Sequence, residues 1–61
     1  MVRYTVLLDG ETTGTIDDDT LDGQRAHAFL GEQMRAKSVD ENGNPIEVEG
    51  ILTDVLSEET I

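Results

Sequence analysis

Residues Val2 to Leu8 alternate in polarity: Val2, Tyr4, Val6 and Leu8 fall on one face, and Arg3, Thr5 and Leu7 on the other. A period of two is that of a strand half-buried in a sheet. Asp9-Gly10 then supplies a turn signal, and Thr12 to Ile16 is rich in β-favouring threonine. Loop length decides which face Ile16 joins. A two-residue loop sets it opposite Arg3, away from Tyr4; the three-residue loop Asp9-Gly10-Glu11 sets it opposite Tyr4, in the core. The three-residue loop is expected, with Gly10 taking the positive φ of a bulged turn.

From Leu21 to Lys37 the period changes. Ala26, Phe29, Leu30, Gln33, Met34 and Lys37 follow the spacing of one buried helical stripe, with Gln24, Arg25, Ala28, Glu32 and Arg35 opposite. Asp17-Asp18-Asp19-Thr20 precedes them; Asp19 or Thr20 can cap a helix, and the acids sit where its dipole favours negative charge. A helix over about 21–37 is expected. Gly23 and Gly31 lower its intrinsic stability by about 1 kcal/mol each relative to alanine, so it needs a sheet to lie on.

Asp40-Glu41-Asn42-Gly43-Asn44-Pro45 is a dense turn signal, across which Ser38 to Asp40 can pair with Ile46 to Glu49. In the tail, Ile46 and Val48 share a face, Gly50 interrupts, and Ile51, Thr53 and Val55 continue in the opposite phase. A bulge at Gly50 would turn both sets inward. Ile51, Leu52, Val55 and Leu56 also fit one face of a short terminal helix, but the β-branched residues favour a strand. The sum is an α+β domain, ββαβ(β), with one helix packed on one face of a three- or four-stranded sheet, and residues 1–61 form a single small acidic domain. β-Grasp-like domains and other small folds share that order of elements, and order alone carries no function.

Charge changes the picture. Fourteen carboxylates oppose four basic residues, giving a formal net charge of −10 spread along the whole chain. Such a surface disfavours nucleic acid and anionic membranes and favours basic partners, cations or high salt. A domain of this size buries only about 60% of the surface its unfolded chain exposes. With no cysteine, disulfides and thiolate metal sites are excluded. An oligomer, a bound partner or a screening solvent is therefore expected. The longest apolar run is Val6-Leu7-Leu8, and the N-terminus lacks the layout of a signal peptide, so the expected location is the cytoplasm or a virion. One lysine (Lys37) beside three arginines, with abundant Thr, Val, Asp and Glu, resembles the composition of proteins from halophiles, from GC-rich genomes and from their phages.

The inventory argues against an enzyme. His27 is the one histidine and reads as a packing or surface residue, and Ser38 and Ser57 have no activating neighbour. Two stretches begin like EF-hand loops, Asp18-x-Thr20-x-Asp22-Gly23 and Asp40-x-Asn42-x-Asn44. Phe29 and Ile51 stand where the closing glutamate belongs, and Pro45 occupies the glycine position of the second. No cofactor and no metal is expected.

Two non-enzymatic readings follow. The leading one is a protein–protein interaction or assembly module, a homo-oligomer or a subunit of a complex such as a viral or halophile structural component. Its candidate interface is Leu7, Ile51, Leu52, Val55 and Leu56, because the tail is apolar on both faces and a single helix covers only one. The alternative is an acidic inhibitor that mimics nucleic acid, of the phage anti-restriction or anti-CRISPR type. Its candidate face is Asp17, Asp18, Asp19, Asp22, Glu47 and Glu49, a row spaced like phosphates if helix start and strand lie side by side.

Overall fold

The computed structural model describes residues 1–61. It is all-β and carries no α-helix. Four antiparallel strands, β1 (Val2–Leu8), β2 (Thr12–Asp17), β3 (Gln33–Val39) and β4 (Pro45–Thr60), close into a small barrel. Two 3-10 turns, Asp18–Thr20 and Ala26–Phe29, lie in the connection between β2 and β3.

The first hairpin follows its sequence pattern. Asp9-Gly10-Glu11 links β1 to β2, Tyr4 pairs with Ile16, and Asp9 and Gly10 take φ of 53° and 72°. Tyr4, Val6, Leu8 and Ile16 point inward and are buried. Leu21, Ala26, Ala36 and Leu52 complete the core, with Val2, Phe29, Met34, Val48 and Val55 packed around it.

The expected helix over 21–37 is absent, so the α+β reading is corrected to an all-β one. Asp22, Gly23 and Gly31 have φ of 53°, 77° and 87°, and a right-handed helix cannot pass through left-handed residues. Leu30, Gln33 and Lys37, three positions of the supposed buried stripe, are exposed. From Gln33 the chain has period two instead: Met34, Ala36 and Ser38 are buried or half-buried, while Gln33, Arg35, Lys37 and Val39 are exposed. The segment over 18–32 carries Leu21 and Ala26 into the core, then returns to β4 through Gly31 N–H to Leu52 O and Leu52 N–H to Glu32 O.

The second hairpin turns at Asp40–Asn44. The Asp40 carboxylate accepts the amides of Asn42 and Asn44, both at 2.9 Å, and Gly43 takes φ of 84°. These bonds hold the Asp40 carboxyl below its usual range, the Asn44 amide contributing most.

β4 serves two neighbours. Its first half pairs with β3, from Val39–Pro45 to Gln33–Ile51, and its second half with β1, from Leu8–Leu52 to Val2–Thr60. Two residues are skipped against β1, Thr53 and Leu56; such bulges bend a strand and raise its twist. The phase shift expected at Gly50 thus falls three residues later. Gly50 stays in register opposite Met34, Leu52 points inward, and the bulge at Thr53 then turns Val55 inward.

Candidate functional site

Three of the four strand boundaries are zipped along their length, and the fourth is not. β2 and β3 share one bridge, Thr15 to Lys37, where the Thr15 hydroxyl also reaches the Lys37 carbonyl at 3.4 Å. The approach depends on small inward residues: a Cβ on Gly14 would lie 2.7 Å from the Ala36 Cβ and 3.1 Å from the Lys37 carbonyl. On either side of the bridge the strands diverge and leave a cleft.

One cleft, about 260 Å³, lies between Thr15–Asp17 on β2 and Arg35–Lys37 on β3, with Asp19 and Glu47 at its edge. The other, about 450 Å³, lies between Thr13–Thr15 and Lys37–Val39, with Arg3 and Thr5 at its side. The first is lined by three acids and two cations, the second by two cations and no acid.

Three of the four cations are in ion pairs. Arg3 faces Asp17 across the β1–β2 ladder, Nε to Oδ1 at 2.8 Å and Nη2 to Oδ2 at 3.4 Å. Arg35 faces Glu49 across β3–β4 at 2.9 Å, and Gln33 donates to the same carboxylate. These donors hold the Asp17 and Glu49 carboxyls below their usual ranges and raise both guanidinium groups. Arg25 lies 3.9 Å from Glu58. Lys37 has no ion pair and lines both clefts.

The six acids proposed as a row are only partly brought together. Asp17, Asp19 and Glu47 share the smaller cleft, but Arg35 and Lys37 stand among them. Asp18 is half-buried in the first 3-10 turn, Asp22 is exposed in a left-handed turn, and Glu49 is held by Gln33 and Arg35. No cluster of three acidic or histidine side chains converges on a point that could hold a metal ion.

The apolar candidates divide as well. Leu52 is 1% exposed and belongs to the core, Val55 packs against that core, and Leu7 is half-buried. Ile51 and Leu56 are exposed at 41% and 49%. Leu30, Val39 and Ile46 are also exposed, and of these Leu30 escapes a reading that places 21–37 on a helix. The signal for Lys37 at a sheet edge was the alternation of Met34, Ala36 and Ser38 with Gln33, Arg35, Lys37 and Val39.

Fold and surface together define a small acidic all-β protein whose antiparallel sheet closes through one bridge. The chain matches no protein-family model, no curated protein and no solved structure.

Proposed function

We propose that this chain is a non-enzymatic protein–protein interaction or assembly module that engages its partner at the incompletely closed β2–β3 boundary. The single bridge between those strands carries the reading. Strand edges without a neighbour are templates for another chain, and here two of them flank clefts on a surface with no convergent catalytic set. Exposed Ile51 and Leu56 add apolar contact area. The acids supply solubility and repel wrong partners, which suits a component of a larger particle in the cytoplasm or a virion. Nucleic-acid mimicry has less support, since Arg35 and Lys37 interrupt the acids that share a cleft.

Molar mass by size exclusion with light scattering, in dilute buffer and in about 2 M KCl, tests the module. With repulsion screened, open edges are expected to pair between copies, giving a multiple of the 6.7 kDa chain mass. A chain that stays at 6.7 kDa in both buffers and captures no strand-forming peptide is not such a module.

A further inference from the structure

Resting on that reading, we infer that the occupant of the boundary is an extended, basic segment of a partner protein, added as a strand at the end of the seam beside Asp17. Edge addition draws affinity from main-chain hydrogen bonds and specificity from alternate side chains. The β2–β3 boundary offers the main-chain edges, because beyond Thr15 and Lys37 the two strands do not pair.

Charge selects both the end and the occupant. The cleft beside Val39 presents Arg3 and Lys37 with no acid and repels a cationic strand. The cleft beside Asp17 presents Asp17, Asp19 and Glu47 against Arg35 and Lys37, an excess of one acid, and Arg35 is already paired with Glu49. Its floor includes Ile16 and Ala36, so an inward-pointing side chain meets apolar surface while its neighbours meet carboxylates. A second copy of this chain would bring another net charge of −10 to the same place and is disfavoured without screening. Lysine or arginine at alternating positions of an extended segment satisfies both requirements.

The test uses an end-blocked peptide of four Lys-Thr repeats, and the same peptide N-methylated at every second residue, which keeps the charge and removes strand pairing. Each is titrated into the full chain in dilute buffer, with amide hydrogen exchange read along β2 and β3. The expected result is saturable binding that slows exchange around Asp17 and Arg35, and at least tenfold weaker binding of the N-methylated peptide. Asp19→Asn with Glu47→Gln, both exposed and outside any ion pair, is expected to weaken binding about threefold to tenfold. Equal binding of the two peptides, with no slowed amides, would mean charge attraction alone and overturn the inference. No binding, together with an oligomer in about 2 M KCl, also overturns it, leaving a module whose occupant is its own copy. No binding and no oligomer removes the module as well.

Discussion

Asp9 stands so close over Gly50 that a Cβ there would lie 2.5 Å from the Asp9 Oδ2. The Asp9 carboxylate accepts the Ile51 amide at 2.9 Å, and its own amide donates to the Ile51 carbonyl at 2.8 Å. One step on, Gly10 N–H donates to the Thr53 hydroxyl, which donates to the Leu7 carbonyl. The first hairpin turn is thereby pinned to the point where β4 passes from β3 to β1. Gly50→Ala is expected to push the carboxylate off the Ile51 amide and cost about 1–2 kcal/mol. In an Asp9→Gly background the same change should cost about 1 kcal/mol less. Urea unfolding of the four proteins measures this coupling, and additive effects would rule the contact out.

Gly14 and Ala36 set a similar test at the seam. The obstacles to a Gly14 Cβ are the Ala36 Cβ, the Lys37 carbonyl and, at 3.3 Å, the Val48 Cγ2, none at the end of a long flexible side chain. Gly14→Ala is therefore expected to force β2 from β3 at a cost of about 1–3 kcal/mol. Adding Ala36→Gly should restore part of that loss, and faster amide exchange near Thr15 should accompany the single change.

Leu52 and Ile51 are neighbours with opposite fates. Leu52→Ala removes a fully buried side chain and is expected to cost about 2–5 kcal/mol. A domain this small has only about 3–9 kcal/mol in total, so much of the population should unfold. Ile51→Ser is expected within about 0.5 kcal/mol of the parent. Circular dichroism melts of the two variants check which residue faces inward, and reversed effects would refute the phase of β4.

Salt is expected to stabilise the monomer. Going from about 0.1 M to about 1 M KCl shortens the Debye length from about 10 Å to about 3 Å. That weakens self-repulsion across the whole surface and also the three surface ion pairs, of which only Arg3–Asp17 has a half-buried partner and which contribute little. Tm should rise by roughly 4–8 °C, equivalent to about 1 kcal/mol in a domain of this size. A fall would mean that the ion pairs outweigh the repulsion.

Asp40 carries a pH signature. Its folded pKa lies below the ordinary value of 3.8 because its carboxylate accepts the turn amides. A depressed folded pKa contributes stability that is present above the unfolded value and lost as pH falls through the folded one. Asp40→Ala should therefore be less stable than the parent near pH 7, with the gap closing at pH values below 3.8. Paired melts across that range check it; a gap independent of pH would place its origin outside the carboxylate.

The β1–β2 hairpin was legible because two independent signals agreed: the alternation of Val2 to Leu8 and the loop length that puts Ile16 beside Tyr4. The Asp40–Pro45 turn was legible from its residue types. The β3 region was not, because Gln33 to Lys37 favours helix by composition and its inward residues after Met34 are small. Ala36 and Ser38 give a weak alternation, while Ala26, Phe29, Leu30 and Met34 happen to match a helical stripe. The positive φ of Asp22, Gly23 and Gly31 reveals why that stripe cannot form. The same substitution of strand for helix places Arg35 and Lys37 among the acids. The misplaced bulge has another cause: glycine marks Gly50 as permissive, but Asp9 covers it, and the skip moves to Thr53, whose hydroxyl ties it to β1.

The division of β4 between two partners sets an order of assembly. Each half of the barrel is a hairpin with a short turn, and hairpins form in about 1–10 μs. Joining them requires β1 to find the far half of β4, bringing Val2 opposite Thr60, and such non-local pairing is the slow step. Substitutions along the β1–β4 joint should therefore slow folding, whereas Gly14→Ala should mainly speed unfolding. The Thr15–Lys37 bridge is the other contact between the hairpins, and releasing it leaves both hairpins and the β1–β4 joint paired. A strand arriving at the end of the seam meets unpaired edges and displaces no part of the fold.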